Sequence, residues 1–393
     1  MTTVRDEVRA WLGENWRPGA DVVAFRGAAL DAGWLVPTWG PEEYGRGLSA
    51  EDAEVVGEEF DRVGAPGRAD RSNLHARILR AMGTAELREL YLRRVLTGEI
   101  EGCLLYSEPG AGSDLASLRT SAVREPDADG DVAAPRWRVN GQKVWTSGAR
   151  TAEFGLLVAR TDPTVPKHRG ITFFVLPMHQ PGVDVRPIVQ ITGDQHFNEV
   201  FLTDAFVDDA ARLGEVGDGW RVLMTALGLE RSVMGSRAAG SRAKQGLRYI
   251  GTADDLIDLA RRHGRLDDPV TVDRLAGVYA DRAAIALNQI RYAAEGRSAD
   301  PAAMSMSKLA MSRLLHATAR VRTDIVGADA LLDGRDPEPT DAELANFFAL
   351  DAYFTSIGGG TDQIQRNIIG ERMLGLPKEV DESRSVPFDQ APR

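Results

Sequence analysis

The chain has 393 residues, 43% of them hydrophobic, enough for two or three domains with real cores and no need of covalent staples. A formal net charge of -11 argues against a general binder of nucleic acid or anionic membrane, and a small molecule is the expected partner. The single cysteine, Cys103, excludes an internal disulfide and leaves no basis for a thiolate metal site, while no apolar run approaches the ~20 residues that span a bilayer.

From Val4 to about Glu99 the pattern favours helices. Val22, Ala29, Leu30 and Trp34 surround one, Ala50 to Glu54 opens another, and Ile78, Met82, Leu87 and Tyr91 follow at helical spacing. The charges at Arg5, Asp6, Glu7 and Arg9 replace the apolar core of a signal segment, so the expected compartment is the cytoplasm. Near Gly102 the character changes to short apolar runs separated by turns: Leu104 to Tyr106, Trp137 to Val139, Gly155 to Ala159, Ile171 to Met178, Val183 to Ile188 and Glu199 to Leu202. Asn140-Gly141 is read as a hairpin turn between Trp137-Arg138-Val139 and Gln142 to Trp145. After Gly219 the helical period returns through Leu227, Leu275, Val278, Ile285, Leu314 and Val321.

The expected fold is therefore α+β in three domains. Residues 1-101 form a helical domain, 102-214 a small β barrel or sandwich, and 215-379 a helical bundle, with 380-393 as a flexible tail. Glu125 to Pro135 and Asp333 to Thr340 read as surface loops, and none of the six histidines shows metal-ligand spacing.

The run Glu108-Pro109-Gly110-Ala111-Gly112-Ser113-Asp114 falls at the start of the β domain. Its glycines lack Cβ and can take positive φ, so backbone N–H groups can approach a ligand's oxygens closely. Together with Asn140 to Gly148, Phe197 to Phe201, Leu227 to Arg231 and Gly358 to Arg372, this run makes the chain resemble the acyl-CoA dehydrogenase family over essentially its whole length. The resemblance implies FAD as cofactor. It places Tyr106 and Ser107 at the flavin ring, Gly112 and Ser113 against the ring and its pyrophosphate, Trp145 on the isoalloxazine face and Ser147 near the reactive nitrogen. Period-2 alternation independently puts Trp145 and Ser147 on one strand face. Thr361 and Gln363 match the loop that in this family reaches the FAD of a neighbouring subunit, implying a homodimer or homotetramer.

The family's loop often carries a catalytic glutamate where this chain has Gly359. A glycine cannot take a proton, although its backbone N–H can still hold the thioester carbonyl. Isovaleryl and long-chain members carry the base on the first long helix after the β domain, and Leu227-Gly228-Leu229-Glu230-Arg231 matches that pattern. The resemblance thus implies Glu230 as base, an acyl-CoA or acyl-carrier thioester as substrate, and an electron-transferring flavoprotein as acceptor. Ala260 to Gly264 and Asp324 to Ala328 depart from the family on the adenine side. Two further readings stay open: an oxygen-using oxidase or hydroxylase on the same fold, and a non-catalytic subunit of a hetero-oligomer.

Overall fold

The computed structural model describes residues 3–67, 73–125, 135–235, 253–297, 300–331, 340–380 and 382–391. They divide into two compact units, Met1–Ile188 with Gln195–Leu229 and Glu382–Arg393, and Val189–Asp194 with Glu230–Asp381.

The first unit opens with helices whose starts are written in their caps. Thr3 forms a reciprocal capping box with Asp6 at α1 (Val4–Asn15). Asp21, Ser49, Asn73 and Thr84 each accept a backbone N–H at the head of α2 (Val22–Asp31), α3 (Ala50–Arg62), α4 (Leu74–Met82) and α5 (Ala85–Thr97). The run from Ile78 to Tyr91 is two helices, because Gly83 turns extended (φ -73°, ψ 147°) and Thr84 starts a new cap. Their apolar faces meet around Val8, Leu12, Phe25 and Phe60, with the Phe25 and Phe60 rings 6.0 Å apart. Beside them the buried Glu59 carboxylate accepts from Arg5, Arg9 and Arg62 at 2.7–3.0 Å, and its pKa is pushed down to about 2, chiefly by the Arg9 hydrogen bonds.

The β region is one eight-stranded sheet. Its strands are β1 (Gly102–Leu105), β2 (Ser121–Arg124), β3 (Arg136–Ser147), β4 (Phe154–Arg160), β5 (Ile171–Pro177), β6 (Val183–Pro187), β7 (Phe197–Asp208) and β8 (Arg212–Leu213). They run in the order β6-β7-β3-β2-β4-β5-β8, with β1 parallel to β4. β4 is buried on both faces, so from Phe154 to Ala159 it reads as a continuous apolar run. Phe154, Leu156 and Val158 join the cluster that holds the helices, while Leu157 and Ala159 join Cys103, Trp137 and Val200 in another.

Asn140-Gly141 is not a hairpin turn. β3 runs straight through it, paired with β2 on one side and β7 on the other, and absorbs the pair as an irregularity between Val139 and Gly141. The Asn140 amide exchanges two hydrogen bonds with Asp204 of β7 (3.0 and 2.9 Å), which accounts for its polar character at a mid-strand position.

In the second unit, α7 (Ala253–Arg262), α8 (Pro269–Ala294), α9 (Pro301–Val326), α10 (Asp341–Ile357) and α11 (Asp362–Arg372) pack around Leu256, Leu259, Leu275, Leu314, Ile325 and Ala345. A long helix, α6 (Gly219–Gly235), precedes them. The expected loops at Glu125–Pro135 and Asp333–Thr340 fall largely on residues 126–134 and 332–339, outside the described residues. Within the segment expected as a flexible tail, Phe388 and Asp389 donate their N–H groups to Val165 and Pro163 at 3.0 Å, and the Phe388 ring covers Arg160. Among the described residues no helix is long and apolar enough to cross a membrane.

Candidate active site

Just past β1 the chain turns sharply, with Glu108 and Ala111 bonded to each other across Pro109-Gly110. The turn is riveted to β3 by a buried ion pair. Lys143, with no exposed side-chain surface, donates to Glu108 Oε1 (2.9 Å) and to the Tyr106 carbonyl (3.0 Å). The other acceptor sites of Glu108 take the N–H groups of Arg119 (2.7 Å) and Thr120 (2.9 Å). Burial alone would raise the Glu108 pKa, but the Lys143 charge and these hydrogen bonds outweigh it and hold the carboxyl below its ordinary range. Burial lowers the Lys143 pKa, and Glu108 offsets only part of that.

Val144 N–H donates to the Ser107 carbonyl at 2.9 Å, so Tyr106 and Ser107 lie beside the end of β3. There the strand is irregular again, between Lys143 and Thr146, and Trp145 takes a left-handed φ of 62°. A tryptophan in that conformation is uncommon and costs on the order of 1 kcal/mol or more. Its indole is 58% exposed, edge-on to Phe197 at 6.0 Å, and Ser147 is exposed on the same side with Thr146 buried between them. Gly112 and Ser113 are exposed, and a Cβ added at Gly110 or Gly112 would meet open space. Bare backbone, three half-exposed or exposed serines and an outturned indole thus gather on one rim. A flat heterocycle with a polar edge and an anionic chain fits such a rim.

In the second unit, Gly358-Gly359-Gly360 links α10 to α11, with φ of 65° at Gly359 and 86° at Gly360. The Thr361 hydroxyl caps α11 by accepting from Ile364 N–H (3.2 Å), while Gln363 is exposed. Gln365, 1% exposed, reaches back and donates to the carbonyls of Gly359 (3.2 Å) and Gly360 (3.3 Å). Asp362 accepts from Lys308 (3.0 Å) and Ser312 (2.9 Å), so its carboxylate is tied to α9. Glu230 is half-buried on α6, four residues along from the buried Ala226 and seven from the buried Leu223, on the helix's apolar stripe. On the adenine-side departures, His263 and Arg262 both meet Asp341, at 3.0 and 2.8 Å. Cys103 is buried against Met178, its thiol pushed up to about 12 by burial, and is core.

The sequence motifs contained Glu108, Lys143 and Gln365 without giving them roles. The first two are 35 positions apart, and no local spacing reveals that they pair.

Three domain models match in series: acyl-CoA dehydrogenase N-terminal domain over residues 2–99, middle domain over 103–205 and C-terminal domain over 217–374. The chain belongs to the acyl-CoA dehydrogenase family. It is 35% identical to acyl-CoA dehydrogenase IpdE1 of Mycolicibacterium smegmatis, over 96% of this chain and 98% of that one. Among solved structures it resembles the Tcur3481-Tcur3483 steroid ACAD (TM-score 0.73, 28% identity, 96% and 97% covered). It also resembles the ChsE4-ChsE5 complex from Mycobacterium tuberculosis (TM-score 0.67, 28% identity, the same coverage). The chain is accordingly an acyl-CoA dehydrogenase whose cofactor is FAD, and its three-part helical, β and helical order is that of the family.

Proposed function

We propose that this acyl-CoA dehydrogenase removes hydrogens from Cα and Cβ of a bulky acyl-CoA, with Glu230 as the base and the Gly359 N–H holding the thioester carbonyl. The observation that carries the reading is the pairing of a side-chain-free Gly359, in a left-handed conformation, with a carboxylate set into the apolar stripe of α6. Gly359 offers only backbone, so the carboxylate has to come from another element. A hydrogen bond to the carbonyl oxygen stabilises the enolate-like charge that develops as the α-proton leaves. A carboxylate positioned at the α-carbon can take that proton as general base. FAD, when bound, supplies the acceptor for the hydride that leaves Cβ. On this reading Tyr106, Ser107, Trp145 and Ser147 orient the ring, Gly112 and Ser113 hold the pyrophosphate, and Thr361 and Gln363 reach the FAD of a neighbouring subunit. The electrons pass on to an electron-transferring flavoprotein.

The relatives support two finer points: a thioester of a steroid-type acid as substrate, from the steroid ACAD, and assembly with a second, related chain, from the two-component complex. The test is anaerobic titration with a panel of linear, branched and steroid-acid CoA thioesters, following the flavin band. Glu230→Gln should retain FAD and slow bleaching about 10²–10⁴-fold. Bleaching at the parent rate would remove Glu230 from the mechanism, and bleaching only by a reduced nicotinamide would favour a hydroxylase.

A further inference from the structure

The C-terminal residues, outside all three family domains, dock on the first unit beside the glycine-rich turn. Phe388 lies over the guanidinium of Arg160 at 3.6 Å, and Pro387 bridges Pro166. Arg160 is itself 4% exposed and spends its donors on three carbonyls: Ala116 (2.6 Å), Leu118 (3.1 Å) and Lys167 (3.0 Å). Lys167 in turn holds Asp114 at 2.9 Å. Every link leads to residues 114–118, which directly follow Gly112 and Ser113.

We propose that the segment around Phe388 is a strap that shields the Arg160 hydrogen bonds from water and thereby fixes the Gly112-Ser113 turn for the FAD pyrophosphate; this rests on the flavin reading above. The physical reason is that a guanidinium covered by an aromatic face is desolvated, so its hydrogen bonds to Ala116 and Leu118 face no competition from solvent. Without the ring, water reaches them and the turn loosens. Phe388 does not touch the pyrophosphate on this account; it is a positioning residue acting through Arg160.

The experiment compares the parent with Phe388→Ala, Phe388→Trp and a chain ending at Val386. FAD affinity and dissociation rate are read by flavin fluorescence, and hydrogen exchange is read at the Ser117 and Leu118 amides, which bond Asp114 and Leu115. Phe388→Ala and the truncation should weaken FAD about 10-fold and speed exchange at both amides, while Phe388→Trp, which keeps an aromatic face, should restore both. Parent-like affinity together with parent-like exchange in the truncated chain would overturn the strap. If the exchange changes but FAD affinity does not, the coupling to the cofactor falls. If the parent itself binds no FAD, the flavin reading fails, and the exchange measurement still decides whether Phe388 braces the turn.

Discussion

Neutralising Glu108 tests the rivet between the glycine turn and β3. At 2.9 Å and an effective dielectric of about 20, the attraction between Lys143 and Glu108 is worth about 6 kcal/mol, against a desolvation cost of several kcal/mol for each ion. The intact pair therefore nets close to zero, and its importance shows only when it is broken. Glu108→Gln leaves a fully buried ammonium without its counter-charge, and leaves one amide oxygen where two carboxylate oxygens served Lys143 and the Arg119 and Thr120 N–H groups. The expected loss is about 3–5 kcal/mol. Lys143→Met is milder, because Glu108 keeps its two backbone donors. The double variant should be several kcal/mol more stable than the sum of the single losses predicts, since it removes the stranded charge. Denaturant unfolding of all four proteins, followed by tryptophan fluorescence, measures the coupling. Losses that simply add would show that the two groups do not depend on each other, and the rivet would be wrong.

Three other outcomes follow from the geometry. Trp145→Gly should leave the FAD-free protein as stable as the parent to within about 1 kcal/mol, because glycine relieves the left-handed φ, yet should weaken FAD markedly in the same titration; equal affinity would take the indole out of the site. Gly359→Ala should cost about 1 kcal/mol in unfolding experiments through its φ of 65°, and a neutral result would place that loop in another conformation. The depressed Glu59 carboxyl contributes stability that is fully present above its ordinary pKa of 4.5 and is lost as pH falls through about 2. Glu59→Gln should therefore lower the melting temperature at pH 7 and flatten its acid dependence between pH 5 and 2, and an unchanged acid limb would refute the assignment.

Much of this protein was legible from one dimension, because the information is local. Helix starts carry Thr, Ser, Asp and Asn caps, apolar residues recur at 3.6 or 2, and glycines mark turns, so the order of helical and β regions can be read directly. Other features depend on what lies alongside. Asn140-Gly141 has the composition of a hairpin turn, and only its neighbours β2 and β7 make it a mid-strand irregularity with Asp204 as partner. β2 itself is four residues of mixed polarity, too short for a period, and exists because β3 offers it a register. Along β4 every residue from Phe154 to Ala159 is apolar, so sequence cannot say which of two clusters each side chain enters. The partners of Lys143, Asp362 and Phe388 are likewise set by tertiary structure. A buried charge or amide is tolerable only with a partner, and for Lys143, Asp362 and the Arg160 beneath Phe388 that partner lies tens to hundreds of residues away in the chain.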